Sequence, residues 1–512
     1  MLAKVLSLGV LGIEAYPIEI EVDVTRGLPV VNLIGLADTA IRESKERIKT
    51  AIKNSGFKWP AERITISLAP SDFKKEGTGY DLPIALGILS ATGQINSGIL
   101  DGFCILGELS LDGSLRPTKG VLAICASLEK FKICDIVLPC QNVKEASAVK
   151  GISVWPQKTL RQTVEFLNDP GSFSPSKINL EDLFKDKSHY SVDFSEIKGQ
   201  YAAKRAIEVA VSGGHNILMI GPPGSGKTML AKRLTTIEPD LALEEALEVT
   251  KIHSVAGTLA AKDGIIAIRP FRLPHHTISY SALVGGGNPP QPGEISLAHQ
   301  GVLFLDELPE FRRDCLEALR QPLEDGFIHI SRVKKSCVFP ASFMLVCAMN
   351  PCPCGNFSDS SKTCRCNPGK IANYMDKISG PLLDRIEIHI ELPAIRYKEL
   401  SDPKDSESSA VIKIRVEKAR GIQRERLKAE GIFYNARMDS KSTKKYCLLE
   451  EQAKQLLKTA MEELCLSARA YDKILKVSRT IGDLGGSEVI LPEHVAEAIQ
   501  LHCLRRAESC VG

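Results

Sequence analysis

The sequence lacks an excess of charge of either sign. Lys and Arg together number 65 against 62 Asp and Glu, which leaves a formal net charge of +3. This balance creates no overall field that would demand nucleic acid, so any basic surface must be local. A composition of 44% hydrophobic and 25% charged residues is ordinary for soluble globular proteins. The 512 residues accommodate roughly three domains.

Long apolar runs are also missing. No uninterrupted run reaches the roughly 18 residues from which a membrane-spanning helix is inferred. The apolar stretch behind Met1 carries Lys4, is cut short by Glu14 and is followed by no A-x-A-like cleavage site. We therefore expect no signal peptide, no membrane partner and a cytoplasmic location.

Closely paired cysteines occur in one place only. The other members of the 15 cysteines are scattered singly, as in reduced cytosolic proteins rather than disulfide frameworks. In the exception, nine residues separate the pair Cys352 and Cys354 from the pair Cys364 and Cys366. Four thiolates on one loop would close a tetrahedral Zn²⁺ site. Reduced or redox-labile thiols are the alternative.

A complete phosphate-binding motif is present. The apolar run Ile217–Ile220 predicts a buried strand, and the next eight residues fit G-x-x-x-x-G-K-[ST]. Glycines let backbone N–H groups face phosphate oxygens, and a helix starting near Lys227 points its positive dipole end there. The residues predicted to bind ATP are Gly221, Pro222, Pro223, Gly224, Ser225, Gly226, Lys227 and Thr228. Lys227 is expected to reach the β and γ phosphates, and Thr228 to ligate Mg²⁺.

A second apolar run, about 80 residues further on, ends in two carboxylates. The run 301–305 predicts a central strand that delivers Asp306 to Mg²⁺ and Glu307 to the water that attacks the γ phosphate. A strand ending in Asp-Glu is by itself more often a solvated strand end, but the upstream P-loop favours a hydrolytic site. The run 345–350 predicts a neighbouring strand whose final amide, Asn350, can orient the same water.

The N-terminal residues 1–167 alternate strands and helices and predict an α+β domain. Their order resembles the proteolytic domain of Lon, which uses a Ser nucleophile with a Lys base. The resemblance places Gly79 at the nucleophile and Leu122 at the base, and neither side chain can perform that chemistry. We therefore expect no protease activity. Lys75 and Lys119 are expected at the surface, as solvated charges or as DNA contacts.

Three further segments complete the predicted organisation. Residues 168–193 have the Pro, Gly and Ser content of a linker. Residues 194–395 are the predicted AAA+ core, whose opening Ile-x-Gly-Gln turn resembles an adenine-pocket box with Ile197 as its apolar wall. Residues 396–512 predict a helical lid over the nucleotide. The fold class is α/β, with a Lon-protease-like α+β domain, a central AAA+ P-loop ATPase domain and a C-terminal helical lid.

Four specific motifs carry a family resemblance that covers essentially the whole chain. They are Phe271–His276, Pro292–Gly301, Ala348–Gly355 and Ile378–Ile386. They resemble the ComM/YifB family of magnesium-chelatase-like AAA+ proteins. The resemblance implies a homo-oligomeric ring, a hexamer, that uses ATP and Mg²⁺. It also implies action on single-stranded or branched DNA, as a branch-migration helicase in recombination or natural transformation.

The resemblance assigns roles to residues beyond the P-loop. Asn350 corresponds to sensor 1, and Arg385 to an arginine finger that a subunit supplies to its neighbour. Arg469 corresponds to sensor 2, with Arg479 as the fallback. Arg385 could instead form an ordinary ion pair with Asp384 or Glu387.

The alternating segment Phe327–Phe339 predicts two strands around a basic tip. In related ring helicases the corresponding hairpin carries a lysine into the channel. This implies sequence-independent phosphate contacts by Arg332, Lys334 and Lys335. A solvated hairpin tip is the alternative.

Other interpretations of the chain remain open. The adjacent His275 and His276 are unsuited to ligating one ion, and a loop that couples nucleotide state to the pore is the better hypothesis. A chelatase-type ATPase subunit that drives metal insertion into a porphyrin is the alternative function. The basic hairpin and the Lon-like domain favour the DNA motor. A non-enzymatic scaffold is disfavoured by the intact P-loop and acidic strand.

Overall fold

A computed structural model of the chain describes residues 2–35, 38–70, 75, 77–176, 178, 191–260, 263–332, 335–357, 362–394 and 407–502. These ranges form an N-terminal region of strands and helices, a P-loop region built on a parallel sheet, and a C-terminal helical region. No helix within them is long and apolar enough to cross a membrane.

The N-terminal region is built on two main sheets. Its strands are β1 Leu2–Leu11, β2 Glu14–Thr25, β3 Val31–Ile34, β4 Arg63–Ala69, β5 Phe103–Ile105, β6 Glu108–Leu109, β7 Leu115–Arg116, β8 Asp135–Pro139 and β9 Ser153–Gln157. Its helices are α1 Thr39–Asn54, α2 Asp81–Ala91, α3 Val121–Cys125, α4 Val143–Ala146 and α5 Leu160–Asn168. One sheet has the order β1-β2-β4-β3, and the other is parallel with the order β5-β8-β9.

Local sequence explains the first of these elements. The alternation predicted for β2 is present, since Ile18, Ile20 and Val22 are all fully buried. Asp38 caps α1, because its Oδ1 accepts the N–H of Ile41 at 2.8 Å. The predicted strand and the predicted capped helix are therefore confirmed.

The predicted surface position of Lys75 is wrong. Its side chain is 0% exposed and donates to the carbonyl of Pro70. A buried ammonium group cannot reach a DNA phosphate without a rearrangement of the fold. Lys119 is exposed, as predicted, and its stem lies against Gly257 of the P-loop region.

The P-loop region surrounds a five-stranded sheet in which all paired strands are parallel, in the order β11-β14-β17-β10-β18. Its strands are β10 Ile217–Ile220, β11 Phe271–Arg272, β12 Gly285–Gly286, β13 Gln291–Pro292, β14 Val302–Leu305, β15 Phe327–Arg332, β16 Lys335–Pro340, β17 Met344–Met349 and β18 Ile388–Glu391. Its helices are α6 Tyr201–Gly213, α7 Lys227–Leu234, α8 Leu243–Ala256, α9 Tyr280–Val284, α10 Glu294–Leu297, α11 Arg313–Ala318, α12 Arg320–Asp325, α13 Pro368–Met375 and α14 Gly380–Leu383.

The C-terminal region is helical in the part that the structure describes. Its helices are α15 Ser409–Leu427, α16 Ser440–Tyr446, α17 Glu451–Glu463, α18 Ala468–Gly485 and α19 Pro492–His502. Buried residues of α15, α17 and α18, among them Val416, Leu457 and Ile474, share one core with β10 and α6. The C-terminal helices are thus packed directly onto the region that carries the P-loop.

Candidate active site

The C-terminal ends of three adjacent parallel strands form one edge of the central sheet, which we call the nucleotide edge. It comprises Ile220 of β10, Leu305 of β14 and Met349 of β17. Parallel strands end on the same side of a sheet, so the residues that follow them lie close together. Those residues are the P-loop, Asp306 and Asn350.

The P-loop runs from the end of β10 to the start of α7. Gly224 and Gly226 have φ angles of 82° and 85°, a left-handed conformation that a side chain would strain. This turn brings the unpaired N–H groups of the first turn of α7 to face the loop. Gln200 also holds the loop, because its side-chain amide donates to the carbonyl of Ser225 at 2.7 Å. The predicted strand, loop and helix are all present.

Lys227 lies at the centre of this edge. Its Nζ donates to the carbonyl oxygens of Gly221 at 2.6 Å and Pro222 at 3.0 Å, and to Asn350 Oδ1 at 3.2 Å. Burial lowers the pKa of Lys227, and nearby carboxylates oppose that change. The Lys227 ammonium group is thus held between the P-loop and Asn350. From this position it can bind phosphate oxygens that lie beside either of them.

Thr228 and Asp306, the predicted magnesium ligands, are brought together. Thr228 Oγ1 donates to Asp306 Oδ2 at 2.7 Å, and Asp306 Oδ1 accepts the N–H of Glu307 at 3.0 Å. A hydroxyl and a carboxylate are hard oxygen ligands, and Mg²⁺ typically takes few protein ligands and completes its shell with phosphates and water. This donor set therefore fits the ion that the P-loop implies.

Glu307 has an uncommon backbone conformation and a histidine neighbour. Its φ angle is 54°, and such left-handed non-glycine residues are concentrated at functional sites. Its Oε2 lies 3.2 Å from Nδ1 of His276, and its side chain is 56% exposed. His276 therefore orients a carboxylate that remains accessible to water. Sequence reasoning did not find this contact, because no spacing rule relates the two residues.

Ile197 is fully buried in the core that joins α6 to the C-terminal helices. Its carbonyl accepts the Nζ of Lys204 at 2.5 Å. The side chain packs against protein, and the contact predicted with adenine stays a prediction.

The opposite edge of the sheet, which we call the arginine edge, contains Ile217 of β10 and Ile388 of β18. Arg385 lies just before β18. Its guanidinium is 13% exposed, pairs with Glu324 and donates to the carbonyl of Pro381. The four residues of β10 separate the two edges by about 13 Å, so Arg385 lies away from the P-loop of its own chain. The alternative, an ordinary ion pair, is present, although its partner is Glu324 rather than the predicted Asp384 or Glu387.

Arg469 lies at the same edge. Its Nη1 is 3.8 Å from Asp384 Oδ2, and its side chain is 68% exposed. Its assignment as sensor 2 stays a prediction. The fallback, Arg479, is wrong: its side chain is 1% exposed and donates to Asp483 at 3.0 Å and to the carbonyl of Glu488 at 2.7 Å. A guanidinium held in this way is a structural group.

Strands β15 and β16 form the predicted hairpin, in which Arg332 is paired with Lys335. Lys334 lies outside the described residues, and only the backbones of Arg332 and Lys335 are described. The DNA contacts therefore stay predictions. The middle of β16 touches the N-terminal region, since a Cβ added to Gly12 would lie 3.3 Å from Cys337 Cβ.

The four paired cysteines converge. One ligand sulfur from each of Cys352, Cys354, Cys364 and Cys366 lies within 4.8 Å of the others. The Sγ separations are 3.4 Å for 352 and 354, 3.8 Å for 352 and 364, and 3.6 Å for 354 and 364. Sulfurs bound tetrahedrally to Zn²⁺ at about 2.3 Å lie about 3.8 Å apart, whereas a disulfide requires about 2.05 Å. The cluster has the geometry of a metal site.

The chain is similar to known proteins along almost its whole length. The profile "Magnesium chelatase, subunit ChlI" matches residues 193–400, "Subunit ChlI of Mg-chelatase" matches 20–142, and "Magnesium chelatase, subunit ChlI C-terminal" matches 406–502. Competence protein ComM of Haemophilus influenzae is 42% identical over 508 residues, which is 99% of this chain and 98% of the relative. YifB of Escherichia coli is 41% identical over 498 residues, 97% of this chain and 96% of the relative.

A chelatase subunit shows a much shorter similarity. The magnesium-chelatase 67 kDa subunit of Chlorobaculum parvum is 28% identical over 166 residues, which is 31% of this chain and 23% of the relative.

Proposed function

This chain belongs to the ComM/YifB family of magnesium-chelatase-like proteins, and we propose that it is an ATP-hydrolysing, ring-forming motor that acts on DNA. One observation carries the proposal: Lys227, Thr228, Asp306 and Asn350 meet at the nucleotide edge through direct hydrogen bonds. These are the groups that a P-loop ATPase needs around phosphate and metal.

The proposed reaction uses the side chains at this edge in distinct ways. Lys227 and the P-loop N–H groups bind the β and γ phosphates, while Thr228 and Asp306 hold Mg²⁺. Bound Mg²⁺ would neutralise charge on the phosphate oxygens. Asn350 orients a water, and Glu307 accepts its proton as the oxygen attacks the γ phosphorus. The bond to the β-phosphate oxygen breaks, which leaves ADP and inorganic phosphate.

A ring is proposed because two of the predicted arginines lie at the edge of the sheet opposite to the P-loop of their own chain. Arg385 and Arg469 are both at the arginine edge. A neighbouring subunit could receive them as the arginine finger and sensor 2, which is a head-to-tail contact that closes into a ring. We propose a homohexamer, the assembly implied by the family resemblance.

DNA is the proposed substrate for two reasons. The relative with 42% identity over almost the full chain is a competence protein, and the β15–β16 hairpin carries Arg332 and Lys335 on either side of its turn. We propose branch migration on single-stranded or branched DNA, in recombination or natural transformation, in the cytoplasm. The chelatase alternative has less support, because the chelatase subunit named above covers 31% of this chain.

The remaining assignments follow the same organisation. We propose that residues 1–167 form a Lon-protease-like domain without protease activity, joined by the linker 168–193 to an AAA+ core at 194–395. Residues 396–512 are the proposed lid. The four cysteines are proposed to hold structural Zn²⁺, because their sulfurs all lie within 4.8 Å of one another.

The test is ATP turnover by the purified chain with and without single-stranded and branched DNA. DNA should stimulate hydrolysis by the wild type. Glu307→Gln should bind ATP and hydrolyse almost none of it, because its amide cannot accept the proton of water. Wild-type turnover by Glu307→Gln would refute the assigned base, and turnover indifferent to every DNA would refute the DNA motor.

A further inference from the structure

The four-cysteine cluster is joined at one end to the nucleotide edge and at the other end to helix α13. Cys352 is fully buried and lies two residues after Asn350, the residue that contacts Lys227 Nζ. At the other end, Asn367 follows Cys366 directly and caps α13 by accepting the N–H of Lys370 at 2.8 Å. Any change in the cluster therefore acts on the residues that follow β17.

The described residues of the loop between the two cysteine pairs, 355–357 and 362–363, contribute little apolar core to hold it. Phe357 is 54% exposed, and Cys354 is exposed as well. The sulfur cluster joins the two ends of the loop. Within it, the N–H of Cys366 donates to Cys364 Sγ at 3.5 Å. A metal ion bound by the four sulfurs would provide the cross-link that packing does not.

The same loop packs against the P-loop. A Cβ added to Gly355, which has a φ angle of 80°, would lie 2.6 Å from Pro223 Cδ and 2.8 Å from its Cγ. The backbone of Gly355 is thus packed against the proline ring, and Pro223 directly precedes Gly224 in the phosphate-binding turn. The position of the cysteine loop consequently limits where Pro223 can lie.

We propose that Zn²⁺ bound by Cys352, Cys354, Cys364 and Cys366 braces the P-loop through the contact of Gly355 with Pro223, so that ATP affinity depends on zinc. This inference rests on the proposed ATP binding and is independent of DNA. Four sulfur ligands that all lie within 4.8 Å of one another suit zinc or iron among biological metals. Zinc is the expected ion because no redox step is required of a brace.

The first experiment measures metal and ATP affinity together in the full-length protein. The wild type should contain about one zinc per chain, measured by inductively coupled plasma mass spectrometry. Cys364→Ser with Cys366→Ser should lose the zinc and bind a fluorescent ATP analogue about tenfold more weakly, a loss of about 1.4 kcal/mol of binding free energy. Cys465→Ser, at an exposed cysteine outside the cluster, should keep both.

The second experiment separates the brace from the metal. Gly355→Ala retains all four cysteines and should retain zinc, yet its methyl group collides with Pro223 and should weaken ATP binding. Gly151→Ala is the matched control, since Gly151 has a φ angle of 83° and nothing within 4 Å of an added Cβ. Its ATP affinity should equal that of the wild type. Because Gly355→Ala keeps the sulfur ligands, a folding defect of the cysteine variant cannot hide the answer.

The outcomes are distinct. Wild-type ATP affinity in zinc-free protein, or in Gly355→Ala, would overturn the brace. Iron in place of zinc, or zinc unaffected by the cysteine substitutions, would overturn the metal site. If Lys227→Ala also binds ATP normally while zinc is present, the proposed nucleotide site has failed instead.

Discussion

The two edges of the central sheet differ in how their functional groups are held. At the nucleotide edge, Lys227 contacts Asn350 and Thr228 contacts Asp306, so that the predicted phosphate and metal ligands contact one another within one chain. At the arginine edge, Arg385 is paired with Glu324, and Arg469 lies exposed near Asp384. One edge contains a nearly complete site, and the other presents cations held by local carboxylates.

This difference indicates which half of the chemistry belongs to a single subunit. Contacts among the P-loop groups are made within the single chain. The arginines would have to exchange their own carboxylates for phosphate oxygens of a neighbour. The comparison therefore predicts loss of ATP binding from Lys227→Ala at the nucleotide edge, and loss of turnover with ATP binding retained from Arg385→Ala at the arginine edge.

The largest effect is expected from Lys227→Ala. Removal of the only ammonium group that contacts both the P-loop carbonyls and Asn350 in the described structure should reduce ATP binding and hydrolysis to background. Lys232→Ala, at an exposed lysine of the same helix, is the control and should bind ATP normally. Titration with a fluorescent ATP analogue measures the ATP affinity of both variants. Tight ATP binding by Lys227→Ala would contradict the role given to the nucleotide edge in this comparison.

Arg385→Ala should reduce turnover by about 10³-fold while ATP binding survives. The reason is that the guanidinium would act on a neighbour's γ phosphate and leaves its own P-loop untouched. Arg312→Ala removes an arginine that is 65% exposed and paired with Asp314, and it should keep wild-type turnover.

Mixed rings sharpen this expectation. Arg385→Ala subunits mixed with Lys227→Ala subunits should recover some hydrolysis, because some interfaces then combine an intact P-loop with an intact Arg385. Rings that are confirmed as mixed by native mass spectrometry and stay inactive at every ratio would argue that no site is shared.

Acid should destabilise the arginine edge through His215. This side chain is fully buried beside Thr480, with Nε2 2.8 Å from Oγ1, and burial lowers its pKa to about 3. The unfolded chain binds a proton below about pH 6.5 that the folded state excludes, so stability is lost as pH falls below that value. Between pH 7 and pH 5 this group should cost about 2 kcal/mol of unfolding free energy.

Urea midpoints of the wild type and His215→Gln across this pH range measure the effect. The variant should show a shallower loss of stability in acid, whereas His329→Gln, at an exposed histidine, should follow the wild type. Equal acid sensitivity in all three proteins would contradict the assignment.

His276→Ala should lower kcat about tenfold, or about 1.4 kcal/mol of activation free energy, because it removes the imidazole beside the Glu307 carboxylate. It orients Glu307 at 3.2 Å without holding ATP, so ATP affinity should stay unchanged. His329→Ala, at an exposed histidine outside the nucleotide edge, is the control and should keep the wild-type kcat. Unchanged kcat in His276→Ala would show that Glu307 needs no partner.

The smallest effect is expected at the hairpin, which joins β17 from the arginine edge. Arg332→Ala with Lys335→Ala should flatten the dependence of log K on log[salt] for single-stranded DNA by about 0.7 per lost contact. Lys454→Ala with Lys458→Ala removes two exposed charges from α17 and should leave the slope unchanged. ATP binding should survive in both. Equal salt dependence of DNA binding in the two double variants would show that the hairpin tip is solvated and does not contact DNA.

Much of the nucleotide edge could be predicted because its information is local. The run that precedes Gly221, the glycines and the Lys-Thr pair specify strand, turn and helix within a few residues, and the structure begins α7 at Lys227 as expected. The N-cap of α1 by Asp38 is equally local. The predictions for Lys75 and Arg479 were wrong because both side chains are buried. No sequence pattern near either residue indicates a buried cation.

The sequence by itself determined the P-loop, the acidic strand, the paired cysteines and the family. Only the tertiary structure decided which distant residues meet: Glu307 with His276, Arg385 with Glu324, and Gly355 with Pro223. The physical reason is that a motif is a constraint among neighbours along the chain. These contacts depend on the order of β14, β17, β10 and β18, which is set by packing across the whole sheet.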